Sequence, residues 1–283
     1  MSDTAEPASR FRALHARERL FVMPNPWDAG TAKLLADFGF EALATSSAAL
    51  AWSLGKPDAV GAVTRDEAIA HAALLHRATG LPINGDFESG YGATPHEVAE
   101  TVRRAIDAGV AGCSIEDQDQ SAGDGALYPL AEAARRFEAA REAVARSGSS
   151  FVLTGRCEAF FAKGVDPLKE AVRRLKLYEA AGADVVYAPG LTQEHEVAEI
   201  VGAVAVPVNV LGGLGGVSDD IPALERLGVR RVSIGSGLAK TALGAFLRAA
   251  GALADRRIDF AGAAASSTLN GAFSRPRDDD DED

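Results

Sequence analysis

The chain has 283 residues, of which 47% are apolar, and its formal net charge at pH 7 is −11. The acidic run 278–283 carries six of these negative charges, which leaves −5 for the rest of the chain. An acidic chain without basic clusters argues against nucleic-acid binding. With two cysteines, a polar start and no apolar run near the roughly 20 residues of a membrane span, we expect a soluble, cytoplasmic protein without a membrane segment.

Strand and helix patterns alternate eight times along the chain. The candidate strands are short apolar runs at 20–24, 41–46, 81–85, 111–116, 151–156, 184–188, 206–210 and 231–235. The candidate helices lie at 29–38, 64–79, 95–108, 131–147, 166–181, 193–202, 218–227 and 237–251.

Eight βα units predict a single α/β domain, a (β/α)8 TIM-type barrel with an extra C-terminal helical segment, over residues 1–260. We expect residues 261–283 to form a flexible, acidic tail. A doubly wound open sheet is the alternative fold.

Acidic residues follow two neighbouring strands of the predicted barrel. Asp86 and Glu88 come directly after strand 81–85, and Glu116 ends strand 111–116. Residues i and i+2 of an extended chain project to the same side, so Asp86 and Glu88 present their carboxylates together. Such acids repel one another unless a cation lies between them, and oxygen ligands suit Mg²⁺ or Mn²⁺. The pattern therefore predicts a divalent metal site; acids that only cap loops are the alternative.

The other strand ends carry one arginine and several small polar groups. The residues at these ends are Asn25, Asp28, Ser46, Ser47, Arg156, Glu158, Pro189, Asn209 and Gly235. This set suits a metal-bound anionic substrate such as an α-oxo acid. All five histidines fall in helical stretches or at their starts, which argues against histidine catalysis and a zinc site. Cys113 and Cys157 are predicted to point toward the helices, in packing roles.

Six segments, in this order, resemble the isocitrate lyase/phosphoenolpyruvate mutase superfamily over most of residues 20–250. They are Asn25-Pro26-Trp27-Asp28, Ala44-Thr45-Ser46-Ser47, Leu54-Gly55-Lys56-Pro57-Asp58, Gly85-Asp86-Phe87-Glu88-Ser89-Gly90-Tyr91-Gly92, Ile115-Glu116-Asp117 and Gly155-Arg156-Cys157-Glu158. The resemblance implies a Mg²⁺-dependent barrel enzyme that cleaves or forms C–C or P–C bonds next to an oxo-carboxylate. It also implies a homodimer or homotetramer that exchanges its C-terminal helix between subunits.

The resemblance assigns roles to the acids and to the arginine. Asp86 would bind the metal directly or through water, Glu88 stands where the family has a second aspartate, and Glu116 would also face the metal. Arg156 would bind a substrate carboxylate in a two-pronged contact; a structural ion pair with Glu158 or Glu116 is the alternative. Asp58 matches a loop aspartate near the phosphoryl-transfer position of the mutases, and an ordinary turn acid is the alternative.

Smaller groups complete the expected substrate site. Ser46, Ser47 and Ala48 would offer backbone N–H groups and a hydroxyl to the oxo-acid or phosphono end. Asn209 and Gly235 end the last two strands, and glycine there allows the backbone to approach an anion. Trp27 lies in a rim loop and would form a wall of the site, with packing as the alternative.

The sequence departs from the lyases of the family after Glu116. Those lyases carry paired lysines and a Cys-Gly-His element whose cysteine donates a proton, whereas residues 117–128 contain no cysteine, lysine or histidine. Neither isocitrate nor methylisocitrate cleavage follows from the resemblance. Tyr91 is the nearest acid/base candidate, followed by Asp119 and Asp124.

We therefore expect a Mg²⁺-dependent lyase-type enzyme that acts on an α-oxo or 2-hydroxy di- or tricarboxylate through a metal-stabilised enolate. Decarboxylation of an oxaloacetate-like acid agrees best with the missing cysteine, and loop 117–128 would close over the substrate. Phosphonopyruvate mutase or hydrolase chemistry is the second hypothesis, and a non-catalytic 2-oxo acid binder is the third.

Overall fold

The computed structural model describes residues 6–58, 61–123 and 125–274. Its eight parallel strands are β1 Phe21–Met23, β2 Leu43–Ala44, β3 Ile83–Asp86, β4 Gly112–Glu116, β5 Val152–Arg156, β6 Val185–Tyr187, β7 Val208–Leu211 and β8 Arg231–Ser233. Its helices are α1 Pro7–His15, α2 Ala29–Asp37, α3 Ser47–Ser53, α4 Arg65–Thr79, α5 Pro95–Asp107, α6 Leu130–Ser147, α7 Pro167–Ala180, α8 Glu194–Ala203, α9 Ile221–Arg226, α10 Gly237–Ala254 and α11 Ser266–Phe273.

The strands form one sheet in the order β1-β8-β7-β6-β5-β4-β3-β2. The first and last strands pair in parallel, with Phe21 opposite Arg231. Between β1 and β2 the ring is joined by a hydrogen bond from Ala44 N to Pro24 O (3.0 Å). The prediction of a (β/α)8 barrel is therefore confirmed.

Capping residues begin several of the predicted helices. The Thr64 and Thr94 side chains each accept from the backbone N–H three residues later, and Glu67 and Glu97 complete the two capping boxes. These bonds satisfy N–H groups that a helix start leaves without partners. The observed starts of α4 and α5 agree to within one residue with the predicted helices 64–79 and 95–108.

Helix α1, which the sequence analysis did not predict, closes the bottom of the barrel. Phe11 is fully buried and packs in one apolar cluster with Met23 and Val152 of the strands. A Cβ added to Gly112 would lie 2.9 Å from the Phe11 ring and 2.6 Å from Val152 O, so glycine is required at this contact. A larger cluster lies between the sheet and the outer helices and includes Cys113 and Cys157, which confirms their predicted packing roles.

Part of the C-terminal segment is helical. Helix α11 lies inside the segment from residue 261 that we expected to be flexible, and its Phe273 lies beside Gly30 of α2. The acidic run 278–283 lies outside the described residues. Helix α10 leaves large apolar side chains exposed, and these are Leu238, Leu243, Phe246, Leu247 and Leu253. No helix in the described ranges is long and apolar enough to cross a bilayer.

Candidate active site

Three predicted site residues come together because they end neighbouring strands. Asp86 is the last residue of β3, Glu116 of β4 and Arg156 of β5. Glu116 lies opposite Arg156 in the parallel register, and Asp86 lies opposite Ser114. Since the carboxyl ends of parallel strands meet at one rim of a barrel, two acids and one arginine lie together there.

Three carboxylates surround the Arg156 side chain. Its Nη1 lies 3.1 Å from Asp86 Oδ1 and 3.2 Å from Glu116 Oε2, and its Nε donates to Glu158 Oε1. The guanidinium carbon also lies 5.4 Å from the centre of the Tyr187 ring. The ion pair that the sequence left as an alternative is thus present. Nη2 makes no hydrogen bond within the described ranges, so it can still donate to a substrate carboxylate.

Burial and mutual repulsion perturb these acids. Burial raises the pKa of Glu116 well above its usual value, and the positive charge of Arg156 opposes that shift. The pKa of Glu158 is raised for the same main reason, again against the effect of Arg156. Burial followed by the charge of Asp86 raises the pKa of Glu88. Burial therefore makes the ionised forms of these three acids costly at this rim.

The donor set at this rim fits a hydrated divalent cation. Asp86, Glu88 and Glu116 supply only carboxylate oxygens, the ligands that Mg²⁺ prefers. In the part of the chain that the structure describes, no three His, Cys, Asp or Glu side chains are grouped so that they could hold a metal directly. Since Mg²⁺ usually keeps several water ligands and uses one or two carboxylates, the acids fit it through water rather than as a closed cage.

Ser46, Ser47 and Ala48 lie at the start of helix α3 rather than in an isolated turn. The Ser46 hydroxyl caps the helix by accepting from Ala49 N at 3.3 Å. Ser47 donates from both N and Oγ to Asp86 Oδ2, each at 2.9 Å. The Ser47 donors that the sequence analysis assigned to substrate are therefore bound to Asp86, and they fix the orientation of that carboxylate.

Glu88 and Tyr91 lie on a loop whose backbone is held by Arg136. Both residues have positive φ angles, 47° and 50°, which non-glycine residues rarely adopt. The buried Arg136 of α6 donates to Ser89 O at 2.8 Å, Gly92 O at 2.6 Å and Ala93 O at 3.1 Å. Arg136 could not be predicted from the sequence, because nothing in a helical pattern marks an arginine as buried.

The Tyr91 hydroxyl donates to Glu88 Oε1 at 3.4 Å, and Gln120 Nε2 donates to Glu88 Oε2 at 3.2 Å. Burial and then the negative charge of Glu88 raise the pKa of Tyr91. The phenol therefore stays protonated near neutral pH and can donate a proton but not remove one.

Loop 117–128 is anchored by a buried aspartate. Asp117 Oδ1 accepts from Glu158 N at 2.8 Å, while its Oδ2 accepts from Arg174 Nη1 at 3.1 Å and from the Tyr178 hydroxyl at 2.5 Å. These bonds tie the start of the loop to the segment that follows Arg156. Further along, Asp119 accepts from Ser121 N, and Asp124 lies outside the described residues.

A cavity of about 180 Å³ opens at this rim and reaches into the barrel. The predicted site residues that line it are Ser46, Ser47, Ala48, Asp58, Asp86, Arg156, Asn209 and Gly235. Four others do not line it, and these are Trp27, Glu88, Tyr91 and Glu116. Glu116 nevertheless contacts Arg156, and the Trp27 carbonyl accepts from His71 Nε2 at 3.0 Å.

The floor of the cavity contains polar residues that the sequence analysis missed. Asn84, Tyr187 and Arg231 all line it. Asn84 and Arg231 lie two residues before the strand ends Asp86 and Ser233, and Tyr187 is the last residue of β6. Because residues i and i+2 of a strand face the same side, the positions of Asn84 and Arg231 in the sequence are the signal that predicts them.

Comparisons with known proteins agree with this geometry. Residues 11–254 match the family model described as phosphoenolpyruvate phosphomutase. The chain is 30% identical over 265 residues to a protein of Corynebacterium glutamicum named "Probable 2-methylisocitrate lyase 2", covering 91% of this chain and 85% of that protein.

The chain is also 34% identical over 209 residues to the oxaloacetate decarboxylase of Paraburkholderia xenovorans, covering 72% of this chain and 68% of the relative. Among solved structures, a candidate lyase/mutase from Burkholderia cenocepacia J2315 superposes with a TM-score of 0.90 at 46% identity, over 96% of this chain and 97% of the other.

Proposed function

Because the chain belongs to the phosphoenolpyruvate phosphomutase family, we propose that it is a Mg²⁺-dependent lyase acting on an α-oxo or 2-hydroxy di- or tricarboxylate. The single observation that carries this proposal is the rim at which Asp86, Glu116 and Glu158 surround Arg156 above an open cavity. The relatives named as lyases and as a decarboxylase support the reaction class.

Asp86, Glu88 and Glu116 are the residues that would hold the cation, with Mn²⁺ as a substitute. When bound, Mg²⁺ would supply positive charge for the oxygen on which negative charge collects as the C–C bond breaks. Ser47 holds Asp86 in a fixed orientation through two hydrogen bonds. This support reduces the reorganisation that charge development otherwise requires.

Arg156 would bind a carboxylate of the substrate through Nη2. Its Nε and Nη1 are already fixed by Glu158, Asp86 and Glu116, so the guanidinium plane is set before substrate arrives. A preoriented donor places the substrate relative to the rim at little entropic cost. Loop 117–128, anchored through Asp117, would exclude water from the complex.

Decarboxylation of an oxaloacetate-like acid is the reaction that these residues favour. The C–C bond breaks, carbon dioxide leaves, and the remaining oxo acid keeps the electron pair and takes up one proton. Loop 117–128 offers no cysteine for that proton, and Tyr91 does not line the cavity. The proton therefore comes from solvent water once the loop opens, and no side chain of the loop is needed as a donor.

Phosphonopyruvate mutase or hydrolase chemistry is the second candidate. It is favoured by Asp58, which lines the cavity and whose negative charge contributes to the raised pKa of Glu88. A non-catalytic binder of 2-oxo acids is the third candidate. It would use the same rim without turnover.

We also propose that the protein is a homodimer or homotetramer that exchanges its C-terminal helix. The exposed apolar side chains of α10 support this, since Phe246 and Leu247 are 65% and 69% exposed. Clusters of exposed large apolar residues on a helix are typical of protein interfaces.

An NMR time course with Mg²⁺, and with EDTA instead of it, tests the proposed reaction. The substrates are oxaloacetate, methylisocitrate, dimethylmalate and phosphonopyruvate, each with an enzyme-free blank at the same Mg²⁺ concentration. We expect Mg²⁺-dependent turnover of oxaloacetate above the blank, lost in Glu116→Gln and kept in Glu100→Gln, whose acid pairs with Arg103 on the surface.

Turnover of phosphonopyruvate alone would favour the second candidate. Binding of 2-oxo acids that requires Mg²⁺, without turnover of any substrate, would favour the third. Turnover that is equal in EDTA would contradict the role of the cation.

A further inference from the structure

Arg231 spans the barrel interior beneath the rim. It is the first residue of β8 and is 1% exposed. Its Nε donates to Asn209 Oδ1 at 2.9 Å, its Nη2 to Thr154 Oγ1 at 3.1 Å, and its Nη1 to His15 Nε2 at 3.2 Å. The guanidinium is thus held between strands β5 and β7 and the helix that closes the barrel bottom.

All three partners of Arg231 are neutral. His15 Nδ1 lies 2.8 Å from Phe11 O, so it carries the ring proton and leaves Nε2 as the acceptor for Arg231. Burial, followed by the charge of Arg231, lowers the pKa of His15 to about 3, so the ring is uncharged at neutral pH. In the described part of the chain, no acidic side chain forms an ion pair with Arg231.

Within residues 6–58, 61–123 and 125–274, the charge of Arg231 therefore has no counter-ion. Burial lowers its pKa to about 9, which still leaves the guanidinium charged at neutral pH. A buried charge without a partner of opposite sign is costly, and an anion that enters the site offsets that cost. Arg156 is the opposite case, because three carboxylates already neutralise it.

The cavity gives an anion access to this position. Arg231 lines the same cavity as Arg156, and only three of the five guanidinium N–H groups have partners within the described ranges. Asn84 also lines the cavity, is 4% exposed, and has an Oδ1 atom without a hydrogen-bond partner in the described residues. Exchanging the amide nitrogen and oxygen of Asn84 costs only the 3.5 Å hydrogen bond from Nδ2 to Gly85 O. Asn84 can therefore present an N–H donor to the cavity.

We propose that the cavity floor is a second anion site, in which Arg231 binds a small monovalent anion such as a carboxylate or a halide. The anion has two sources, a free ion that stays in the barrel or the inner carboxylate of a substrate held at the rim. The site itself does not depend on the proposed reaction; only the second source rests on it.

Thermal unfolding in anion-poor buffer, with added sodium formate as the probe, tests the site. Formate at ten times its Kd increases the population of folded protein 11-fold relative to unfolded protein, which corresponds to a rise in melting temperature of about 3 °C. We expect this rise in the wild type and in Arg156→Gln, and its loss in Arg231→Met. Arg230→Met is the matched control, because Arg230 precedes Arg231 and its Nη1 donates to the Gly228 carbonyl.

A crystal of the wild type grown in bromide provides a second readout that needs no variant. An anomalous peak beside the Arg231 guanidinium supports the site. The absence of such a peak overturns the proposal, as does a formate response that Arg231→Met retains. If Arg231→Met does not fold, the bromide map decides alone.

Substrate kinetics then distinguish the two sources. Competitive inhibition by formate means that a substrate carboxylate reaches the floor. Stabilisation by formate without competition means that a free ion occupies it. Failure of the proposed reaction leaves the formate and bromide results unchanged, so the two proposals fail separately.

Discussion

Replacement of Arg136 by methionine should destabilise the protein strongly, although this residue lies outside the cavity wall. Its guanidinium donates to three backbone carbonyls, those of Ser89, Gly92 and Ala93, and it lies 4.3 Å from the centre of the Tyr128 ring. Hydrogen bonds from charged donors contribute roughly 1.5–3 kcal/mol each. Arg136 Nε is buried without a partner, which offsets part of this gain. We expect a loss of about 4 kcal/mol in the free energy of unfolding.

Urea unfolding followed by circular dichroism measures this loss. Arg135→Met is the matched control, since the Arg135 side chain is 63% exposed and pairs with Glu132, a contact worth about 0.5 kcal/mol or less. The same loop holds Glu88 and Tyr91 at positive φ, so we also expect lower turnover for Arg136→Met. A stability loss within about 1 kcal/mol of the control would refute the view that Arg136 supports this loop.

Three further predictions follow from the described contacts. In EDTA, the melting temperature of Glu116→Gln should lie above that of the wild type at pH 8, and the two should converge below pH 4.5. The pKa of Glu116 is raised in the folded protein, so its ionisation costs stability as pH rises. Tyr178→Phe should lose about 1–3 kcal/mol in urea unfolding, since Asp117 Oδ2 loses its hydroxyl donor; an unchanged midpoint would contradict this. Phe246→Glu combined with Leu247→Glu should elute as a monomer in light-scattering chromatography, whereas the wild type should not; identical masses would exclude α10 as an interface.

The parallel arrangement of the strands explains why the residues at the rim could be predicted from the sequence. Asp86 and Glu116 end buried strands, and a parallel barrel brings such ends together whatever the helices between them contain. Only local patterns were needed, namely short apolar runs that alternate with helical stretches. These signals depend only on residues close together in the chain, so they can be recognised without knowledge of the fold.

The missed features depend on contacts between distant parts of the chain. Ser47 looks like a free donor in the sequence, but Asp86 from another strand takes both of its hydrogen bonds. Arg136 looks like an ordinary charged residue of an amphipathic helix, but the 88–93 loop covers it. Helix α1 precedes the first strand and begins at Pro7, but its burial against Val152 depends on a contact distant in the chain.

Closure of the ring between β1 and β8 has a consequence for synthesis of the protein. Phe21 pairs with Arg231, and His15 also needs Arg231, so the first elements made wait for the last strand. At roughly 5–20 residues per second, a ribosome takes roughly 10–40 s to pass from the end of β1 to β8. During that time one edge of β1 and the Nε2 atom of His15 have no native partner. The unpaired edge of β1 can then pair with another chain, so chaperones that shield emerging segments should raise the yield of folded protein.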